Sequence, residues 1–348
     1  MSNPYRGLPD HQFWRRSVSG VEHHLLDPVV APKFKIDRKE RVATAGSCFA
    51  QHISRRLSQI GFNYFVTEAG EGLSEIERLD RNYGTFSARY GNLYTTAQLL
   101  QLFHEAFGQR QPLGRVLQRP DGRYVDIYRQ QIDAEGFSTP ADVAAERAVH
   151  LDAVRRMFTE CDIFVFTLGL TEAWRSLRDG SVVPVVPGVV GGSFDPAEYE
   201  FRNFTVDEVR RDLEVFLSAL RMVNPGVKVL LTVSPVPLIA TYENRHVLVS
   251  TTYSKAVLRV VAEQVMQGHD WVDYFPSYEI ITGSYAGGLY YEDDHREVNH
   301  LGVAHAMRCF LDNYVDKGER RATVAAPDMG ASSSVICDEE VLAQVRSS

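Results

Sequence analysis

Apolar positions recur along the chain with two periods, and the alternation between those periods sets the expected fold. Residues 41–45 are small and β-branched, Gly46-Ser47-Cys48 breaks the run, and Phe49, Ile53, Leu57 and Ile60 follow at helical spacing up to Gly61. This predicts a strand, a tight turn carrying a serine, and a helix. Asn63 to Thr67 predicts a short second strand, and residues 68–94 read as loop. Thr95 or Thr96 then caps a helix carrying Leu99, Leu100, Phe103 and Phe107. Residues 108–138 suggest a hairpin-like insertion with Tyr124, Asp126 and Tyr128 on one face. Thr139-Pro140 opens a helix to about Glu160, with proline in its first turn.

Two nearly continuous apolar runs, 162–168 and 227–233, suit strands buried on both faces of a parallel sheet. Between them lie a Pro/Gly-rich excursion at 176–204 and a helix from Thr205 to about Val223, with Val209, Leu213, Phe216 and Leu220 on its apolar stripe. A loop holding His246 leads to a helix from about Ser250 to Gln267, residues 271–275 form a short strand, and 276–298 read as loop. Asn299 caps a last helix expected to bury Leu301, Ala304, Met307 and Phe310. Strand and helix alternate throughout, so an α/β fold with a parallel sheet covered on both faces is expected. Residues 1–38 are a proline-punctuated arm that Tyr5, Phe13 and Trp14 would clip to a body spanning 39–318. From 319 to 348 the chain is small and polar, and part of this tail is expected to be mobile.

Composition narrows the function. With 348 residues, 44% hydrophobic and 24% charged, the chain has an ordinary globular balance, and one domain with extensions accounts for its length. Its formal net charge of -8 gives no overall basic footprint for nucleic acid. Cys48, Cys161, Cys309 and Cys337 form no CxxC pair, which points to reduced thiols and neither a zinc site nor a disulfide framework. The first residues lack the apolar core of a signal peptide, and no run approaches the roughly 18 apolar residues of a membrane helix. A cytoplasmic protein without cofactor, nucleic-acid or membrane partner is expected, with oligomeric state open. Asp293, Asp294, His295, His300 and His305 crowd together, but a five-residue step between His300 and His305 suits shared metal ligation on a helix poorly. The VVPGVVGG stretch lacks the phosphate-loop pattern.

The chemistry centres on Ser47. A serine between strand and helix sits at the carboxyl edge of the sheet, where open α/β folds place ligands, and near helix N–H groups that stabilise an anion. It has two readings, helix cap or nucleophile. Cys48 beside it is either a thiol at a helix N-terminus or a small buried apolar residue.

Three words, GSCFA at 46–50, TLGLTEAW at 167–174 and TVSPVP at 232–237, each at a strand end, together resemble the GSCFA-domain family, which looks like a branch of the SGNH/GDSL esterase and acyltransferase superfamily. The resemblance implies a flavodoxin-like three-layer α/β/α sandwich with Ser47 as nucleophile. It implies oxyanion donors from the Ser47 N–H, from Gly91 or its neighbour Asn92, and from a third block where Thr171 stands in place of the superfamily's asparagine. The superfamily's D-x-x-H is displaced in Asp293-Asp294-His295-Arg296-Glu297-Val298-Asn299-His300. His246 is therefore the first choice of base and His295 the second, with Asp294 or Glu172 as orienting carboxylate; Glu172 would otherwise stabilise a helix start. The expected activity is a serine-dependent esterase acting on an ester, most simply O-acetyl, of a carbohydrate or small molecule. Acyl transfer through the same serine and a catalytically silent binding protein are the alternatives.

Overall fold

A computed structural model describes residues 3–114, 116–315 and 340–343. Among the described residues, β1 (Val42–Gly46), β4 (Ile163–Leu168), β8 (Lys228–Val233) and β9 (Val272–Tyr274) form a wholly parallel central sheet in the order β1-β4-β8-β9. A hairpin joins β2 (Val116–Gln118) to β3 (Tyr124–Asp126), and β5 (Glu172–Ser176), β6 (Val182–Val183) and β7 (Tyr199–Asn203) form an antiparallel sheet in the order β6-β5-β7. Helices α1 (Trp14–Ser17), α2 (Ala50–Gln59) and α3 (Glu75–Asp80) precede α4 (Thr96–Ala106) and α5 (Pro140–Glu160). They are followed by α6 (Val206–Val223), α7 (Val247–Gly268), α8 (Ser277–Thr282), α9 (His300–Tyr314) and the short α10 (Glu340–Ala343).

Alternation along the strands builds three layers. Ala43, Ala45, Phe164, Phe166, Val229 and Leu231 point to one face, where α4, α5, α6 and α7 bring Phe103, Phe158, Phe216 and Leu258. Val42, Ile163, Val165 and Leu230 point to the other, where α2, α8 and α9 bring Ile53, Leu57, Ile280 and Phe310. The sheet is thus buried on both faces, as its continuous apolar runs anticipate. Thr95, Thr139 and Thr205 each close a capping box at the start of α4, α5 and α6.

The outer edge of β1 is satisfied piecemeal. Val42 donates to Asn63 O and accepts from Phe65 N–H, the Thr44 N–H donates to Ser87 Oγ, and Gly46 O accepts from Leu93 N–H. The expected second strand at 63–67 is therefore only one parallel bridge, Tyr64 to Val42, because the chain turns off the edge and side-chain and strap contacts replace it. With that bridge in the place of the second strand, the order matches the flavodoxin-like sheet.

Several other expectations change. The loop at 68–94 contains α3, set by a capping box between Ser74 and Glu77. The excursion at 176–204 carries β6 and β7, which pair with β5, so Glu172 opens a strand and has no helix dipole to stabilise. Tyr128 lies in the turn after β3 and does not extend its face. Helix α7 starts at Val247, before the expected Ser250, with His246 as its cap. The loop at 276–298 contains α8. On α9, Met307 and Phe310 are buried but Leu301 and Ala304 are exposed. Gly302 faces inward instead, so close to Tyr290 that a Cβ there would lie 2.8 Å from its Cβ. In the arm, Tyr5 and Trp14 are exposed; the attachment is made by buried Leu26 and by Ile36, whose N–H donates to Tyr314 O. The tail expected from 319 lies outside the described residues except for α10.

A buried ion network holds the segment 87–94 that crosses β1. The Arg89 N–H donates to Glu68 Oε2 at 2.7 Å, and Arg129 Nη1 donates to Arg89 O at 3.0 Å. Arg89 and Arg129 both pair with Glu146, and Arg129 and Arg147 both pair with Asp126. Burial alone would raise the Asp126 carboxyl, but Arg147, Arg129 and the Tyr128 N–H more than offset it and hold it at about 2.

A depressed carboxyl stabilises the fold above its unfolded value of about 4, and that contribution disappears as pH falls through about 2. Asp126→Asn should lower stability at neutral pH by about 3–5 kcal/mol, the cost of leaving buried arginines without their partner. It should also flatten the pH dependence between about 4 and 2. Urea melts across this range check both; an unchanged acid slope would mean that Asp126 is not ionised in the fold.

Candidate functional site

The direction of the chain reverses between β1 and β4. After β1 it visits the outer edge at Tyr64, and after α5 it returns on the other side as β4. Ligands in open α/β sheets sit at the carboxyl ends beside such a switch point. Ser47 follows β1 there, and Gly169 follows β4.

These two turns are pressed together by glycines. Gly46 has φ +131°, and a Cβ on it would lie 2.3 Å from Thr167 O, so no side chain fits. The Ser47 N–H donates to Thr167 O at 3.1 Å. At Gly169, a Cβ would lie 3.1 Å from Ser47 Cβ and 3.0 Å from Tyr94 O. Tyr94 O in turn accepts from both the Gly169 and Leu170 N–H groups, at 3.0 and 3.1 Å. The segment Gly91-Asn92-Leu93-Tyr94 is thus clamped across both strand ends.

Ser47 does not cap α2. The cap position is Phe49 and no side chain closes it; the first turn starts with Ala50 N–H donating to Ser47 O. Ser47 is 3% exposed, and among the described residues its Oγ has no hydrogen-bond partner. A buried polar atom normally finds a partner.

The other expected residues separate into groups. Asn92 is buried within reach of Ser47's helix: Gln51 Nε2 on α2 donates to Asn92 Oδ1 at 3.4 Å. Gly91 has φ +73°, the left-handed turn its type permits. Thr171 is fully buried, but its hydroxyl donates to Asn203 Oδ1 at 2.7 Å, and its N–H to Ser254 Oγ at 2.9 Å. Glu172 accepts from the Thr241 hydroxyl at 2.7 Å, and burial raises its pKa. Asn203 Nδ2 donates to Glu243 Oε1 at 3.1 Å, so the loop before His246 is tied to the Thr171 turn.

His246 is exposed, and its Nδ1 accepts the Leu248 N–H at 3.1 Å. In that tautomer the ring proton sits on Nε2. His295 is also exposed, with φ +55°, on a loop whose Asp294 Oδ1 accepts from the Arg296 and Glu297 N–H groups. Tyr291 OH, donating to Pro235 O at 2.9 Å, anchors that loop to the end of β8. His305 is structural: its two ring nitrogens lie 2.6 Å from Tyr290 OH and from Leu26 O. No group of three metal-ligating side chains exists among the described residues. Cys48, Cys161 and Cys309 are buried, and burial pushes the Cys161 and Cys309 thiols up to about 12.

Lys255 was invisible in the sequence, where it looks like a polar position on an amphipathic helix. It is 2% exposed, and its Nζ donates to Gly169 O at 2.6 Å, which places its amine under the turn that faces Ser47. Asn203 was equally hidden, because the strand that carries it was read as part of a loop. Gln51 carried a weak signal, one helical turn beyond Ser47.

The two glycines should respond differently to alanine. Gly46→Ala should cost on the order of 3–5 kcal/mol in thermal or urea unfolding, since both conformation and space forbid it. Gly169→Ala should retain the fold and instead crowd Ser47, lowering its reactivity toward an electrophilic serine probe by tenfold or more on a rough estimate. Equal loss of stability in both would remove the distinction.

The described residues contain no helix long and apolar enough to cross a membrane. No curated protein and no solved structure matches the chain. A family model does match, across residues 41–310, which takes in the β1 turn, the Gly169–Thr171 turn and most of α9. The clamp around Ser47 is therefore part of the matched region, and the chain belongs to the GSCFA family.

Proposed function

We propose that the protein is a serine-dependent acyl-ester enzyme of the SGNH type, with Ser47 as nucleophile and an O-acylated carbohydrate or small molecule as substrate. The observation that carries this reading is the buried, unpartnered Ser47 hydroxyl at the switch point of the sheet. Attack of Oγ on the ester carbonyl forms a tetrahedral oxyanion; its collapse expels the alcohol and leaves an acyl-Ser47, which water or a second hydroxyl then resolves. Burial of Ser47 keeps bulk water from the acyl-enzyme, which favours transfer to a bound hydroxyl where an acceptor is held.

His246 serves as base in this reading. Its loop is joined to the Thr171 turn through Glu243 and Asn203, and Glu172 lies on the same loop contact. Catalysis requires Nδ1 to release the Leu248 N–H so that the imidazole can turn. In this reading the Lys255 side chain, which reaches the Gly169 turn, and the Asn92 amide, which is bonded to Gln51, are the candidate oxyanion donors. Ser47 N–H and the Thr171 hydroxyl are engaged within the protein, which is the specific observation favouring a second reading, a binding protein on this scaffold without turnover.

A fluorophosphonate probe separates the two. Labelling of the native chain that disappears in Ser47→Ala establishes the activated nucleophile, and absence of labelling beside a reactive control esterase rejects it. His246→Ala should slow labelling by roughly 10²–10⁴-fold while His295→Ala leaves it nearly unchanged. The reverse ranking assigns the base to His295.

A further inference from the structure

Four aromatic rings gather on the antiparallel sheet beside the candidate site. Trp174 on β5 lies opposite Phe201 on β7, with ring centroids 5.8 Å apart. Tyr242 stands 4.7 Å from Trp174 and 5.4 Å from Phe201, and Phe194 stands 5.2 Å from Trp174. Tyr242 is 65% exposed and Phe194 42%. Large aromatics left in water at this density mark an interaction site.

The platform is continuous with the Ser47 edge. Glu172 pairs with Asn203, and two residues along each strand Trp174 pairs with Phe201 on the same face. Asn203 accepts from the Thr171 hydroxyl, so the aromatic rings begin about 7 Å along the strand from that contact. The loop bearing Tyr242 is fixed from below, where Thr241 Oγ1 and, at 3.4 Å, the Tyr242 N–H both donate to Glu172.

The chemistry of the rim selects the occupant. A pyranose ring presents an apolar C–H face that stacks on aromatics and an edge of hydroxyls that need both donors and acceptors. Here the rim offers the Glu243 carboxylate, the Asn203 amide and the Arg245 guanidinium. Arg245 faces Glu243 at 3.9 Å and donates to Ser250 Oγ, so it brings no surplus positive charge for a phosphate. A nucleotide or coenzyme A would stack equally well but would set its phosphates against Glu172 and Glu243.

We propose that Trp174, Tyr242, Phe201 and Phe194 form a carbohydrate subsite that stacks one ring of a neutral oligosaccharide whose neighbouring unit reaches Ser47. This rests on the proposed ester chemistry for its purpose but not for its test, because sugar binding requires no nucleophile.

The test is calorimetric titration of the Ser47→Ala chain with unmodified cellohexaose, xylohexaose and mannohexaose, and with ATP and coenzyme A. Binding of at least one hexasaccharide is expected, weakened roughly three- to tenfold by Tyr242→Ala and by Phe194→Ala. Both rings are exposed, and circular dichroism confirms that each variant folds. No hexasaccharide binding up to about 10 mM overturns the proposal, as does binding that ignores both substitutions. Tyr242-dependent binding of ATP or coenzyme A also overturns it and assigns the platform to a nucleobase. Failure of fluorophosphonate labelling with intact sugar binding sinks the catalytic reading alone, and labelling without sugar binding sinks the subsite alone.

Discussion

Two strand ends approach each other at the head of the sheet more closely than any side chain permits. Gly46 lies against Thr167 where a Cβ would be 2.3 Å from the carbonyl oxygen, and Gly169 lies against Ser47. The enclosure of Ser47 follows from that contact. It lets the Tyr94 carbonyl take two N–H groups of the second turn, and it leaves the serine side chain enclosed but unspent. A larger residue at Gly46 would separate β1 from β4, whereas one at Gly169 would press on Ser47.

The close contact needs a backing, and buried charge supplies it. Arg89 has its N–H held by Glu68 and its carbonyl by Arg129, so the segment leading to Asn92 and Tyr94 cannot drift from the sheet. Buried ion pairs add little net stability over apolar packing, but they fix geometry because a misplaced charge has no partner. Precise placement of the strap that crosses the ends of β1 and β4 is a use suited to that property. Lys255 adds to the same arrangement from the opposite helix layer, reaching the Gly169 carbonyl from α7.

Much of the fold was legible because strong periodicity survives tertiary context. The starts of α4, α5 and α6 were carried by threonine caps, and β4 and β8 by apolar runs that only a doubly covered sheet accommodates. The excursion at 176–204 was misread because its strands are short and lie between prolines and glycines, where local composition outweighs pairing that only long-range contact reveals. In the site, Ser47 was legible from the break between strand and helix. Lys255 and Asn203 were not, since burial of a lysine and the partner of a threonine are properties of packing. The choice between cap and nucleophile for Ser47 was also beyond the sequence, and the empty hydrogen-bond valence of its Oγ decides against the cap.

The piecemeal edge of β1 has a consequence for how the molecule is made. Arg41 at the head of the strand bonds Asp162, 121 positions later, and among the described residues no closer segment offers β1 more than a single bridge. During synthesis at about 5–20 residues per second, the strand that leads into Ser47 waits on the order of ten seconds for its neighbour to emerge. Its sequence, Val-Ala-Thr-Ala-Gly, is short and weakly hydrophobic, so it is a poor template for mispairing during that interval. The small residues that let this edge close so tightly also keep it from mispairing until the rest of the sheet exists.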